Sequence, residues 1–256
     1  MSRAGAGRNA DWLKLFQPRP EARLRLVCFP YAGGGASVYR AWPRELPAWI
    51  EVAAVQLPGR ESRLREPPFR RLEPLADAAA EALDAELDRP FAFFGHSMGA
   101  ILAFEICLRR RRRGLEPPRH LFVSGRPAPR VESTDPPIHD LPRAEFIAAV
   151  RRYSGTPEEV LQHQELMELL EPLLRADFSV SETYRYQPES EPLAVPLTVF
   201  GGVADPEVPT EALEPWRQET SGPFRKHLLP GGHFFLTERP AEVLRIVARE
   251  LEPYST

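Results

Sequence analysis

Cysteine is nearly absent: Cys28 and Cys107 are the two in 256 residues, too few for a disulfide framework. Both lie in apolar stretches and read as buried core thiols of a reducing compartment. Long apolar runs are missing as well. None approaches the roughly 18 residues that a membrane span needs, and Met1 to Lys14 has no apolar segment of the secretory-signal type. No charge of one sign dominates: 33 basic and 36 acidic side chains leave a formal net charge of −3. A dedicated nucleic-acid binder would carry a basic excess, so that class is excluded. Lysine occurs only at Lys14 and Lys226, so arginine supplies nearly all the positive charge. Proline, by contrast, is abundant at 29 residues, about twice the usual share. With 16 glycines it still falls short of the roughly 25–30% that marks low-complexity chains. The arginine and proline biases read as composition and say little about function.

Apolar strand-like runs alternate with stretches of helical periodicity. Residues 24–29, 50–57, 91–94, 121–124, 195–200 and 227–229 read as strands, and 75–87, 98–113 and 241–251 as helices. This alternation predicts an α/β protein with a mostly parallel sheet covered by helices on both faces. No strand is expected between Ser124 and Val195. Residues 142–153 and 157–179 carry apolar side chains at helical spacing instead, and an insertion of that length reads as a helical lid. The expected organisation is an N-terminal tail over 1–20, one core over 21–125 and 196–256, and the inserted lid over 126–195.

The chemistry concentrates at strand exits. Gly95-His96-Ser97-Met98-Gly99 is a G-x-S-x-G between an apolar strand and an Ala-rich helix, the context of a nucleophile elbow. Such a turn exposes the serine hydroxyl at a helix N-terminus, where free N–H groups and the helix dipole favour developing negative charge. A serine needs a base, and His233 is the histidine placed to serve. It lies in Pro230-Gly231-Gly232-His233-Phe234-Phe235, between the last strand and the last helix. Asp205, in the loop after the preceding strand, is the expected carboxylate, with Asp135 as the alternative. Ser97, Asp205, His233 is the serine–acid–histidine order of α/β-hydrolases. The oxyanion hole would take the Met98 N–H and, from Pro30-Tyr31-Ala32-Gly33-Gly34-Gly35, the Ala32 N–H. That glycine run lacks the Lys-Ser/Thr ending of a phosphate loop and the spacing of a dinucleotide site. The cysteines and histidines have no metal-ligand spacing, so neither cofactor nor metal is expected. The basic run Arg109 to Arg113 falls at the far end of the helix after Ser97 and reads as a solvated helix end.

Taken together, Phe29-Pro30-Tyr31-Ala32-Gly33-Gly34, Leu57-Pro58-Gly59-Arg60-Glu61, Gly95-His96-Ser97-Met98-Gly99-Ala100, Asp205 and Gly232-His233-Phe234 resemble type II thioesterases. These are the stand-alone editing enzymes of non-ribosomal peptide and polyketide synthases. The resemblance runs from about Leu24 to Leu251 and implies an α/β-hydrolase fold with a lid. It also implies hydrolysis of acyl thioesters carried on the phosphopantetheine arm of carrier proteins, in antibiotic-type biosynthesis. Ser97 would attack, His233 act as base and Asp205 orient it, through an acyl-enzyme intermediate. Partners would be acyl or peptidyl carrier domains, with no nucleic acid and no membrane, and the enzyme would be a cytoplasmic monomer. Two other readings share the residues: a small-molecule carboxylesterase or lipase, and a non-catalytic hydrolase-fold binding partner of a synthase.

Overall fold

The computed structural model of the protein describes residues 12–131, 136–153, 155, 158–189 and 191–255. Seven strands form one sheet: β1 (Leu13–Lys14), β2 (Leu24–Phe29), β3 (Ile50–Val55), β4 (Phe91–His96), β5 (Leu121–Ser124), β6 (Leu197–Gly202) and β7 (Phe224–Leu229), in the order β1-β3-β2-β4-β5-β6-β7. All neighbours are parallel except β1, which runs antiparallel to β3. Every residue of β2 to β6 is buried. That explains why these strands read as continuous apolar runs rather than alternating ones.

Helices cover both faces. α2 (Leu72–Asp84) and α3 (Met98–Arg112) pack with Phe29, Phe93 and Val123 on one side. The four-residue α1 (Trp42–Glu45) and α8 (Pro240–Leu251) pack with Leu24, Phe94 and Phe200 on the other. β2 and β4 are adjacent and in register at Phe29 and Gly95. The chain leaves β2 towards β3 and leaves β4 towards β5, so the two exits diverge. Such a switch point opens a crevice at the carboxyl edge of a parallel sheet.

The structure departs from two sequence expectations, the bare tail and the solvated arginine run. Residues 1–20, expected to be a tail, include β1. Trp12 is buried against the sheet, its carbonyl accepts from the Gln56 N–H at 2.8 Å, and the Arg63 guanidinium lies 4.4 Å over its ring. In the sequence this strand shows only as a short apolar piece, Trp12 to Phe16, within a polar tail, too short for periodicity to declare a strand. The stretch expected as an insertion, 126–195, also contributes to core packing. Ala128, Val180, Leu193 and Val195 are all buried in the cluster that holds α2 and α3. Finally, the arginine run is not simply solvated. Arg109 pairs with Glu105 and Asp77, Arg110 with Asp84, and Arg111 and Arg112 with Glu189. The run ties α3 to α2 and to the chain returning from the insertion.

Between β5 and β6 lie α4 (Arg143–Tyr153), α5 (Glu158–Gln162) and α6 (Gln164–Glu182). The helical stretch expected over 157–179 is broken at His163, whose side chain accepts from the Leu166 N–H and caps α6. These helices bury a small core of their own, including Phe146, Val150, Met167, Leu174 and Phe178. A short helix, α7 (Phe235–Glu238), precedes α8.

Candidate active site

Ser97 stands between β4 and α3 with φ 52° and ψ −114°, a left-handed conformation that costs a non-glycine residue about 1–3 kcal/mol. The surroundings hold it there. Its N–H donates to the Ser124 carbonyl at 2.8 Å, and the flanking glycines let the chain double back. A Cβ on Gly95 would collide with the Gly99 backbone, and one on Gly99 with the carbonyl of Phe29. The elbow therefore presses directly against the end of β2.

The β2 exit loop begins one residue beyond that contact. Gly34 N–H donates to the Tyr31 carbonyl at 2.9 Å in a tight turn, and Gly33 N–H donates to Asp177 Oδ2 at 2.7 Å. Among the described residues, the N–H groups of Ala32 and Met98 have no hydrogen-bond partner. Both loops leave the sheet at the same level, so both of these free donors stand at the switch point.

Across the edge, the exits of β6 and β7 are laced together by backbone: Val203 N–H donates to Leu229 O at 2.9 Å and Ala204 N–H to Gly231 O at 3.0 Å. This brings Asp205 to His233, whose Nδ1–H donates to Asp205 Oδ2 at 2.8 Å. A carboxylate only accepts, so Nδ1 carries a proton, and in the neutral ring Nε2 is then the nitrogen with the free lone pair. Asp205 Oδ1 accepts from the N–H groups of Glu207 and Val208 at 2.9 and 3.2 Å. Asp205 and His233 are both buried. Asp135, the alternative acid, lies outside the described residues.

His233 also abuts the elbow: its ring centroid is 5.1 Å from that of His96. Among the described residues no hydrogen bond joins the Ser97 hydroxyl to His233. Nucleophile–base hydrogen bonds in enzymes are often long without substrate and tighten in the complex. His96 is fully buried, with Nδ1 2.9 Å from Ser124 Oγ. Burial, reinforced by His233, pushes its imidazole well below the usual histidine range, so it stays neutral beside the site. The other histidines are structural: His120 stacks on Phe122 and bonds Thr198, His139 bonds Glu182, and His163 caps α6. His227 lies in edge strand β7.

Two residues outside the sequence-derived set also reach the site. Tyr153, at the end of α4, brings its ring centroid to 6.1 Å from that of His233. Asp177 of α6 holds Gly33. Its sequence signal was a lone acid on an apolar helical face, between Leu173, Leu174, Phe178 and Val180.

A family described as "Thioesterase domain" matches residues 24–251, which contain all of this geometry. The chain belongs to the thioesterase family. Among its relatives is a protein named linear gramicidin dehydrogenase LgrE from Brevibacillus parabrevis, 44% identical over 246 residues that cover 95% of this chain and 93% of that one. The thioesterase PikA5 of Streptomyces venezuelae is 39% identical over 242 residues, covering 94% and 85%. Among solved structures, the type II thioesterase BorB from the borrelidin biosynthetic cluster superposes with a TM-score of 0.85 at 38% identity, covering 94% and 97%. This thioesterase accordingly has the α/β-hydrolase fold expected from its sequence. The word dehydrogenase in the first relative's name has no counterpart in this chain, whose glycine run lacks dinucleotide spacing.

Proposed function

We propose that the protein is an editing thioesterase that hydrolyses acyl groups from the phosphopantetheine arm of carrier-protein domains, through a Ser97–His233–Asp205 triad. The observation that carries this reading is the buried His233–Asp205 bond beside a strained serine elbow, in a chain of the thioesterase family. His233 Nε2 takes the Ser97 proton as Oγ attacks the thioester carbonyl. The Ala32 and Met98 N–H groups hold the resulting oxyanion. Collapse breaks the C–S bond, and the thiolate leaves with the proton from His233. Water then gives a proton to His233 and attacks the acyl-enzyme, and the released Ser97 oxygen recovers that proton. Asp205 keeps the imidazole in the Nδ1–H tautomer throughout. No cofactor or metal is required, because the pantetheine arm arrives with its carrier.

In this reading the helices from α4 to α6 act as the lid over the acyl chain, with Tyr153 beside His233. The enzyme works as a cytoplasmic monomer, a setting compatible with two buried, unpaired cysteines. Intact-mass measurement of acyl release from a panel of loaded carrier proteins tests the proposal. Parallel turnover of acyl-CoA and of a nitrophenyl ester provides the contrast. Preference for loaded carriers is expected. Strong preference for the simple ester would make the protein a carboxylesterase, and no turnover of any substrate would make it a binding partner.

A further inference from the structure

Arg60 and Asp177 are buried, with side chains only 5% and 2% exposed, and neither takes part in the chemistry above. They form a two-pronged pair: Arg60 Nη1 donates to Asp177 Oδ2 at 2.7 Å and Nη2 to Oδ1 at 2.9 Å. The pair does not stand alone. Asp177 Oδ2 also accepts the Gly33 N–H at 2.7 Å, and Arg60 Nη1 also donates to the Gly34 carbonyl at 3.1 Å. Two consecutive residues of the β2 exit loop, immediately after Ala32, are therefore held by one ion pair. The pair's halves come from the β3 exit loop and from α6 of the insertion.

Packing agrees with the hydrogen bonds. Gly33 has φ +77°, and a Cβ there would lie 2.6 Å from Leu174 Cδ2. Leu174 sits three residues before Asp177, on the same face of α6. Glu61 binds the far side of the loop through the Ser37 N–H at 3.2 Å. Rotation of the peptide joining Ala32 to Gly33 would pull Gly33 N–H off a charged acceptor, and such charge-assisted bonds are about twice as strong as neutral ones.

We propose that Asp177 and Arg60 are positioning residues for the oxyanion hole: they lock the Gly33–Gly34 backbone and thereby hold the Ala32 N–H where the oxyanion develops. This inference rests on the serine-hydrolase reading above. It also couples the insertion to the chemistry, because the acceptor for Gly33 resides on α6. Coulomb's law alone predicts the opposite effect for one substitution. Asp177→Asn removes a negative charge near a developing oxyanion while leaving Arg60 positive, which by charge alone would speed the reaction. Positioning predicts a slower one.

The test uses the full chain with substitutions Asp177→Asn and Arg60→Lys, with folding verified by thermal melting. Steady-state hydrolysis of an acyl-CoA thioester is measured alongside inhibition by an acyl trifluoromethyl ketone, whose Ser97 adduct places an oxyanion in the hole. The expected result is a fall in kcat of about 10- to 100-fold, a small change in KM, and weaker ketone inhibition by the same factor. A folded variant with wild-type kcat, or one changed only in KM, overturns the proposal. If Asp177→Asn does not fold, Arg60→Lys decides. If neither folds, the pair holds the fold rather than the loop and the proposal also fails. Ser97→Ala separates the two levels: hydrolysis surviving there sinks the nucleophile assignment itself, whereas its loss together with unaltered pair variants sinks only the positioning role.

Discussion

Asp205 engages both of its carboxylate oxygens inside the protein, and this makes its replacement by the isosteric amide informative. Oδ1 faces two backbone donors, Glu207 and Val208 N–H, so in Asp205→Asn the amide oxygen must stay there. The NH2 group then faces His233 Nδ1, which has to accept, and the ring proton moves to Nε2. That is the wrong tautomer for a base towards Ser97. A fall in kcat of about 10³- to 10⁴-fold is expected, with little change in melting temperature. Hydrolysis kinetics on a loaded carrier check it, and a loss below about tenfold would remove Asp205 from the triad. The meeting of Asp205 with His233 was foreshadowed in the sequence, because both lie in strand-exit loops next to proline or glycine, and the Ser97 elbow by its G-x-S-x-G spacing. Asp177 was not, since its partners Arg60 and Gly33 are 117 and 144 residues away. Arg60 and Glu61 stood out in the Pro-Gly-Arg-Glu segment, but no rule of spacing says that they clasp the neighbouring loop.

At the scale of elements, the elbow is where a small change should be felt most. Gly99→Ala puts a methyl group against the Phe29 and Pro30 carbonyls, which are backbone and cannot swing aside. α3 must lift off the end of β2, and overpacking of this kind costs about 1–3 kcal/mol or more. Denaturant unfolding should register a lowered midpoint, and activity should fall with it as the Met98 N–H moves relative to the β2 exit loop. Unchanged stability would mean that the close approach of β2 and α3 is not required. The buried strands were readable as apolar runs because parallel ladders bury both faces. β6 shifted towards Gly202 because Gly201 and Gly202 pair with Leu228 and Leu229 of β7, and glycine carries no strand signal. The break at His163 was hidden because apolar spacing continues across it, and the cap appears only as a hydrogen bond.

For the molecule as a whole, buried histidines tie stability to pH. His120 is pushed down to about 3, chiefly by burial and further by Arg225, and His96 moves in the same direction. In the unfolded chain a histidine titrates near about 6.5. Below that point the unfolded state binds protons that the folded state refuses. Stability is therefore fully present above about pH 6.5 and drains away as pH falls towards 3, by at most about 1.4 kcal/mol per pH unit for each such histidine. Denaturant unfolding at about pH 7 and about pH 5 should give a clear loss, and His120→Gln should flatten the slope. Equal stability at both values would contradict neutral burial.

Strand exits, the serine elbow and the order of acid and base are local features, written in runs of a few residues, and the sequence alone determined them. Mostly parallel architecture followed as well, since alternating apolar runs and helical periodicity leave few ways to bury both. What joined Trp12 to the sheet, Arg109 to Asp77, and Asp177 to Arg60 and Gly33 was decided only in the tertiary structure. Each of those links pairs groups far apart in the chain, and their bond strength depends on burial, which a sequence position does not carry. In this thioesterase the proposed reacting groups are spelled out locally, while the groups proposed to hold them in place come from wherever the fold brings a buried charge to a loop.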